Sequence, residues 1–335
     1  MEYRILGKCG LKISRLGFGG IPIQKIDPEG TRALIRELVA AGVNFIDTAR
    51  GYTVSEEYLG YALEGVRDRF VLATKSTSRT KEAMAKDIDT SLERLRTDYI
   101  DLYQMHNPSA KELEVAIAPG GALEALIEAR EAGKIGHIGI TLHSLELFER
   151  ALELDWVETV MFPYNIVETQ GEELIKRCAE KNIGFICMKP LAGGAIEDAR
   201  CALRFVVSNP AVTVVIPGMA DSKEIAKNVD AVADTSPLSA EEIKQIEEIK
   251  STLGTNFCRR CNYCAPCAVG ISIPAVLLFE GYYSRYNLKE WALQRYATLD
   301  KKASDCIECG ACESRCPYEL PIRSMLKRAA EVLEK

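Results

Sequence analysis

The chain has 335 residues, of which 47% are hydrophobic, and its formal net charge is −6. Such a chain buries a large core, and an acidic balance without a Lys/Arg block argues against a nucleic-acid partner. Residues 1–14 lack the apolar core of a signal peptide, and no run approaches the ~18 unbroken apolar residues of a membrane span. We therefore expect a cytoplasmic protein with no nucleic-acid or membrane partner.

From residue 14 onward, short β-rich runs alternate with amphipathic helical stretches. Eight strands are predicted, at residues 15–20, 44–49, 70–75, 99–106, 135–142, 159–165, 184–191 and 212–217. Eight βα units imply parallel strands, which close most simply into a (β/α)8 TIM barrel, an α/β fold. An open doubly wound sheet is the alternative, disfavoured because no G-x-G-x-x-G follows the first strand.

The composition changes near residue 250. A capping box, Ser239 with Glu242, opens a last barrel helix, and STLGTN follows it as a linker. We predict a TIM barrel over residues 1–250 and a small α-helical domain over residues 251–335, with two helical stretches. At this size we expect bound metal rather than an apolar core to hold the second domain together. Five aromatic residues are expected to pack around the metal: Tyr282, Tyr283, Tyr286, Trp291 and Tyr296.

Polar residues follow three neighbouring predicted strands, at the end where TIM barrels carry their chemistry. Asp47 closes the second strand, with Tyr52 in the loop after it; Lys75 closes the third and His106 the fourth. An ammonium near a tyrosine lowers the tyrosine pKa from about 10, and an Asp fixes such a Lys in place. Each residue alone has an ordinary structural explanation, such as an ion pair. Together they favour a proton-donating site.

Several longer motifs occur in order over residues 1–235. They are YRILGKCGLKISRLGFGG, GVNFIDTARGYTVSEEYLG, VLATKS, LYQMH, GHIGITLHS, FPYN and IPGMADSKEIAKN. In these motifs the chain resembles the aldo-keto reductase family. The resemblance implies reduction of small aldehydes or ketones by a nicotinamide cofactor. It makes Tyr52 the general acid, with its pKa tuned by Lys75 and Asp47, and gives His106 the task of orienting the carbonyl.

The resemblance also implies dinucleotide contacts at strand ends and on the helix after the eighth strand. These are Gly20, Thr141, Pro190, Leu191, Gly193, Pro217, Gly218, Met219, Ser222, Lys223 and Asn228. The chain departs from the usual family residues at six positions, which are Thr141, Leu142, Met161, Met188, Gly218 and Glu224. Glu224 replaces an Arg that grips the 2′-phosphate, although Lys223 or Lys227 is able to bind a phosphate instead. NADPH and NADH both stay open.

Eight of the twelve cysteines form two groups near the end of the chain. The first group is Cys258, Cys261, Cys264 and Cys267, and the second is Cys306, Cys309, Cys312 and Cys316. The second group, with Pro317, has the bacterial ferredoxin spacing C-x2-C-x2-C-x3-C-P, in which the fourth cysteine binds the other cluster. Two [4Fe–4S] clusters are therefore predicted. Cluster 1 has the ligands Cys258, Cys261, Cys264 and Cys316, and cluster 2 has Cys267, Cys306, Cys309 and Cys312.

The first group departs from this spacing, with a last gap of two residues and Ala268 in place of proline. Local ligation therefore stays open, as do two zinc sites, one cluster with a spare set of cysteines, and disulfides. The remaining cysteines are predicted to be buried small side chains; they are Cys9, Cys178, Cys187 and Cys201. A zinc pair of His137 and His143 is disfavoured, because no Cys or carboxylate pattern accompanies them.

A subfamily of aldo-keto reductase-like proteins carries such a C-terminal ferredoxin-like domain, and the whole chain resembles these proteins. The sequence thus predicts an iron–sulfur oxidoreductase that reduces small carbonyl substrates. The alternative is an electron-transfer protein whose clusters exchange electrons with a redox protein such as a ferredoxin, while the barrel is a docking or substrate platform. A third interpretation gives the clusters a structural role only.

Overall fold

The computed structural model describes every residue from 1 to 335 and divides into two compact units. The barrel unit comprises Met1–Asn165, Thr169–Pro190 and Ala199–Leu238, and the tail unit comprises Ile166–Glu168, Leu191–Asp198 and Ser239–Lys335. This division assigns the helix that begins at Ala240 to the tail unit, whereas the sequence interpretation ended the first domain at residue 250. No helix combines the length and apolar character needed to cross a membrane.

Ten strands lie in the barrel unit. They are β1 (Tyr3–Ile5), β2 (Lys12–Ser14), β3 (Phe18–Gly19), β4 (Phe45–Asp47), β5 (Val71–Ser76), β6 (Ile100–His106), β7 (Ile135–Thr141), β8 (Thr159–Pro163), β9 (Gly184–Met188) and β10 (Val214–Val215). Strands β3 to β10 form one sheet in chain order, and every neighbouring pair is parallel. All eight strands predicted from the sequence are present; seven are shorter than predicted, and β5 is shifted by one residue towards the carboxyl end.

Backbone hydrogen bonds between the first and last strands close this sheet into a barrel. The Gly17 N–H donates to the Val215 carbonyl at 2.8 Å, and the Val215 N–H donates to the Arg15 carbonyl at 3.0 Å. Farther along, the Gly19 N–H donates to the Pro217 carbonyl at 2.9 Å. Closure removes both edges of the sheet and brings all strand ends to a common rim.

Nine α-helices cover the sheet. They are α1 (Pro28–Ala40), α2 (Ser55–Ala62), α3 (Lys81–Arg94), α4 (Ala110–Ile117), α5 (Ala122–Glu131), α6 (Leu145–Ala151), α7 (Glu172–Glu180), α8 (Ala199–Ser208) and α9 (Ser222–Ala233). Helix α1 shows why they start where they do. The Asp27 carboxylate accepts the Gly30 N–H at 2.7 Å, and Pro28 supplies the φ angle of a first turn.

The β1–β2 hairpin covers the amino-terminal end of the barrel. Its connection contains a 3-10 turn, Gly7–Cys9, and the Lys8 N–H donates to the Asn182 carbonyl just before β9 at 2.7 Å. Buried side chains of the hairpin share an apolar core with side chains from the strands; they are Leu6, Cys9, Ile13, Phe45, Ala73, Leu102, Met161, Ile186, Val214 and Ile216. The hairpin therefore keeps water out of this end of the barrel.

The tail unit contains five α-helices. They are α10 (Ala240–Leu253), α11 (Ile273–Ser284), α12 (Lys289–Ala297), α13 (Ala311–Ser314) and α14 (Ile322–Leu333). The predicted capping box is confirmed, because the Glu242 N–H donates to Ser239 Oγ at 3.2 Å and the Ser239 N–H donates to Glu242 Oε2 at 2.7 Å.

The prediction that the second domain lacks an apolar core is wrong. Helices α11 and α14 pack together around side chains that are almost fully buried: Ile271, Ile273, Val276, Leu277, Tyr296, Leu320, Ile322, Met325, Leu326, Ala329 and Leu333. Of the aromatic residues predicted around the metal, Tyr283 and Tyr296 share an apolar cluster with Cys264 and Cys312, whereas the other three pack on one another. Tyr282 packs on Trp291 with ring centroids 4.6 Å apart and meets Tyr286 edge-on at 5.4 Å. Tyr296 donates to Glu334 Oε1 at 2.6 Å.

Two loop segments that precede the tail in sequence belong to the tail unit through specific contacts. The Glu168 carboxylate is fully buried and pairs with Arg260 at 2.8 Å, and the Arg260 side chain is 10% exposed. Arg259 donates to the Val167 carbonyl at 2.8 Å, and Arg285 donates to the Gly193 carbonyl at 3.1 Å. These arginines make the short loop segments part of the fold of the tail unit.

Replacing Gly7 tests the fit of the hairpin against the barrel. Gly7 and Gly10 both have positive φ, but a Cβ on Gly7 would lie 2.2 Å from the Gly184 nitrogen, whereas one on Gly10 meets nothing within 4 Å. We expect Gly10→Ala to lower the free energy of unfolding by about 1–2 kcal/mol, and Gly7→Ala by roughly 1–3 kcal/mol more. Urea unfolding followed by circular dichroism measures both. Equal losses in the two variants would contradict this packing.

Candidate active site and cysteine-lined cavities

The carboxyl ends of β4 and β5 bring a lysine and an aspartate into direct contact. Lys75 Nζ donates to Asp47 Oδ2 at 2.5 Å and to the Thr48 carbonyl at 2.8 Å. Lys75 is only 2% exposed and Asp47 only 3%. A charged pair this deep in the protein is rare unless each charge has a partner.

Gln104 completes the surroundings of the aspartate, and the sequence interpretation missed it. Its Nε2 donates to Asp47 Oδ1 at 3.1 Å, so both carboxylate oxygens accept a hydrogen bond. Gln104 precedes His106 by two residues on β6, and residues two apart on a strand point to the same face. That spacing is the signal in the sequence that identifies it.

Tyr52 and His106 lie beside this ion pair. Lys75 Nζ is 4.9 Å from the centroid of the Tyr52 ring. The His106 ring meets the Tyr52 ring edge-on, with centroids 6.4 Å apart and an interplanar angle of 88°. Both rings are partly exposed, unlike the ion pair. The structure thus brings all four residues predicted from the strand ends into one site.

Burial shifts the ionisation of the buried pair. Loss of water lowers the pKa of Lys75 from its ordinary value, and the charge of Asp47 opposes this shift. Loss of water likewise raises the pKa of Asp47, against the effects of Lys75 and Gln104. Because each charge depends on its partner, removing one leaves the other uncompensated in the interior.

A second buried carboxylate fixes the loop that carries Tyr52. Glu56 is 1% exposed, and its Oε1 accepts hydrogen bonds from the hydroxyls of Thr74 and Ser91, each at 2.8 Å. Its Oε2 accepts a hydrogen bond from Arg50 at 2.8 Å. Arg50 and Tyr52 belong to the same short loop between β4 and α2, so this hydrogen-bond network holds the loop in place. No spacing in the sequence predicts this network around Glu56.

The residues implied as dinucleotide contacts fall in both units. Those in the barrel unit follow strand ends or lie on α9; they are Gly20, Thr141, Pro190, Pro217, Gly218, Met219, Ser222, Lys223 and Asn228. Leu191 and Gly193 belong to the tail unit. Two of the glycines leave no room for a side chain. A Cβ on Gly20 would lie 2.9 Å from the Asp47 carbonyl oxygen, and one on Gly218 would lie 2.7 Å from Pro22.

Carboxylates surround the amino-terminal end of α9. Asp221 accepts the Glu224 N–H at 2.9 Å, and Glu224 accepts the Ala220 N–H at 2.6 Å. The Ser222 hydroxyl donates to Glu37 Oε1 at 2.7 Å. The positive end of the helix is therefore partly neutralised by the protein's own acidic side chains, with Lys223 exposed beside them.

Two cavities in the tail unit are each lined by four cysteines. One cavity has Cys258, Cys261, Cys264 and Cys316 in its wall. The other has Cys267, Cys306, Cys309 and Cys312. Four cysteine sulfurs are the usual ligands of a [4Fe–4S] cluster, so this donor set fits one such group in each cavity. Tyr263 and Tyr318 line the first cavity, rather than the aromatic residues proposed from the sequence.

The four cysteines outside these cavities are all buried, as predicted. Burial raises the pKa of Cys178 to about 12, so it stays an unreactive thiol. His137 lies near the start of β7, whereas His143 follows its end and approaches Asn107 Oδ1 at 3.1 Å. Since the two histidines are at opposite ends of a strand, they do not form a zinc pair.

Comparison with known families decides the assignment. Residues 15–201 and 198–251 match the model of the aldo/keto reductase family, and residues 257–321 match that of a 4Fe-4S dicluster domain. The chain belongs to the aldo/keto reductase family. The predicted resemblance, including the C-terminal iron–sulfur domain, is confirmed. This aldo/keto reductase is thus an oxidoreductase with a TIM barrel and an iron–sulfur domain.

Relatives of this aldo/keto reductase match mainly its barrel. L-galactose dehydrogenase of Arabidopsis thaliana is 27% identical, over 76% of this chain and 94% of its own. Aldo-keto reductase YhdN of Bacillus subtilis is 31% identical, over 59% of this chain and 66% of its own. Among solved structures, the holo form of aldo-keto reductase AKR11C1 from Bacillus halodurans aligns with a TM-score of 0.65 and 26% identity, covering 74% of this chain and 96% of that one.

Removing one member of the buried pair tests their mutual dependence. We expect Lys75→Met to lower the free energy of unfolding by about 3–5 kcal/mol, because it leaves Asp47 buried without its counter-charge. The double variant Asp47→Asn/Lys75→Met removes both charges and should recover most of this loss. Urea unfolding of the three proteins measures the difference. If the double variant is no more stable than Lys75→Met, the pair is not the source of the loss.

Proposed function

We propose that this aldo/keto reductase reduces small aldehydes or ketones with a nicotinamide cofactor, through Asp47, Tyr52, Lys75 and His106. The observation that carries the proposal is the placement of a buried, paired ammonium against the ring of a partly exposed tyrosine. An ammonium has three N–H donors, and Asp47 and Thr48 accept two of them. The third is left for the hydroxyl of Tyr52.

The side chains divide the reaction between them. The Tyr52 hydroxyl donates a proton to the carbonyl oxygen of the substrate, and the Lys75 ammonium stabilises the tyrosinate that remains. Asp47 keeps Lys75 charged and in place. His106, edge-on to Tyr52, donates a hydrogen bond that orients the carbonyl. When bound, a nicotinamide would supply the hydride, and that hydride together with the Tyr52 proton would convert the carbonyl into an alcohol.

The proposed dinucleotide contacts are those implied by the family resemblance. They are Gly20, Thr141, Pro190, Leu191, Gly193, Pro217, Gly218, Met219, Ser222, Lys223 and Asn228. Glu37, Asp221 and Glu224 place carboxylates at the start of α9, which favours ribose hydroxyls of NADH over the 2′-phosphate of NADPH.

For the tail unit we propose two [4Fe–4S] clusters with crossed ligation. Cluster 1 takes Cys258, Cys261, Cys264 and Cys316, and cluster 2 takes Cys267, Cys306, Cys309 and Cys312. The grouping of the cysteines around two cavities supports this assignment over local ligation. Bound clusters supply one-electron redox chemistry. Their cysteine ligands stay reduced in the cytoplasm, which is the location we propose.

Electron transfer is a second candidate function, favoured by the exposure of one cluster 2 ligand. Cys309 is exposed, and Ile307 beside it is 62% exposed. An exposed ligand beside an apolar side chain gives a redox protein, such as a ferredoxin, access to the cluster. In this function the barrel is a docking or substrate platform.

Replacing the tyrosine separates the two functions. We expect Tyr52→Phe to reduce kcat for carbonyl reduction by about 10²–10⁴-fold, because the general acid is lost. Tyr58→Phe is the matched control and should retain activity, since Tyr58 lies on α2 outside the site. Both are assayed anaerobically with NADH and NADPH, with cluster absorbance as the check on folding. Turnover that survives Tyr52→Phe but is abolished by Cys309→Ala would support electron transfer instead.

Paired cysteine replacements test crossed ligation. Cys258→Ser/Cys316→Ser removes two ligands from one proposed cluster, so about four irons of eight should remain. Cys258→Ser/Cys267→Ser removes one ligand from each cluster and should lose nearly all iron. Iron content and electron paramagnetic resonance of the reconstituted proteins measure the outcome. Local ligation predicts the reverse order of iron loss in the two variants.

A further inference from the structure

Cys9, His137 and Glu158 come together at the amino-terminal end of the barrel. Cys9 ends the 3-10 turn of the β1–β2 hairpin, His137 lies near the start of β7, and Glu158 directly precedes β8. One ligand atom from each side chain, the sulfur, a ring nitrogen and a carboxylate oxygen, lies within 4.8 Å of the other two. None of these residues belongs to the site around Tyr52.

Hydrogen bonds hold two of these three side chains in position. Glu158 Oε2 lies 2.6 Å from His137 Nδ1. The other carboxylate oxygen accepts hydrogen bonds from the Ile138 N–H at 3.0 Å and from Arg130 at 3.3 Å. The carboxylate is therefore anchored through Oε1, and Oε2 faces the imidazole.

The three side chains are largely but not completely shielded from solvent. Cys9 is 8% exposed, and the side chains of His137 and Glu158 are 22% and 15% exposed. The Cys9 N–H donates to the Leu6 carbonyl at 3.1 Å, which fixes the turn that presents the thiol. Arg130 is a cation beside the site, and it is paired with Glu158 Oε1 at 3.3 Å.

We propose that Cys9, His137 and Glu158 bind a zinc ion, with water as the fourth ligand. Thiolate, imidazole and carboxylate are the three kinds of side chain that zinc takes in proteins, and its usual coordination is tetrahedral. Binding replaces the proton of the Cys9 thiol, which is released to solvent. The charges of the thiolate and the carboxylate then balance that of Zn²⁺, which suits a shielded site.

The proposed ion ties the hairpin to two strands of the barrel. Cys9 comes from the hairpin, whereas His137 and Glu158 come from β7 and the start of β8. Asp47, Lys75 and His106 lie at the opposite ends of their strands. The zinc therefore stabilises the closed end of the barrel and takes no part in carbonyl reduction.

The first experiment identifies the ligands of added zinc. Full-length protein with reconstituted clusters receives one equivalent of Zn²⁺, is freed of unbound metal, and is examined by metal analysis and X-ray absorption at the zinc edge. We expect one zinc per chain with one sulfur and three nitrogen or oxygen ligands. A shell of four sulfurs would place the zinc among the cluster cysteines and overturn the proposal.

Variants then test each ligand. We expect Cys9→Ser and His137→Gln to weaken zinc binding by at least about tenfold in competition with a chelator. Cys178→Ser is the matched control, since it removes another buried barrel cysteine that has no such neighbours. Zinc should raise the melting temperature of the parent protein and of Cys178→Ser only. Unchanged affinity in both Cys9→Ser and His137→Gln would show that these residues form only an ion pair beside a buried thiol.

Discussion

The buried contact between Lys75 and Asp47 is the constraint on which the rest of the site depends. Two charges in the interior each lose several kcal/mol of hydration, and only accurate geometry recovers it. Neighbouring strands of a closed barrel supply that geometry, since β4 carries Asp47, β5 carries Lys75 and β6 adds Gln104 to the unused carboxylate oxygen. The apolar core around the strands offsets the cost. The role proposed for Tyr52 as a general acid depends on the ammonium of this pair.

Local signals explain what the sequence predicted correctly. Strand runs, the Ser239 capping box and the cysteine spacings each depend on residues close together in the chain, and all are present. The rule that chemistry follows parallel strand ends then brought Asp47, Lys75 and His106 together. Gln104 lies two residues before His106 on β6 and therefore points to the same face of the strand.

Contacts between distant segments explain what the sequence missed. Glu56 accepts hydrogen bonds from Arg50, Thr74 and Ser91, and these residues meet only when the loop, strand and helix that carry them have packed. His137 and Glu158 are 21 residues apart, and Cys9 reaches them from the hairpin. No periodic pattern joins such residues. The apolar core of the tail unit is a different case, because α14 buries Ile322, Met325, Leu326, Ala329 and Leu333 at helical spacing, a signal that the sequence interpretation did not use.

The pairing of Arg260 with the buried Glu168 bears on how much of the chain the tail unit needs in order to fold. The two residues are 92 positions apart, and Arg259 spans the same interval to reach the Val167 carbonyl. A fragment that begins at Ser239 would therefore contain Arg260 without the carboxylate that neutralises it. Such a fragment is an incomplete folding unit, because residues 166–168 and 191–198 belong to the same compact unit.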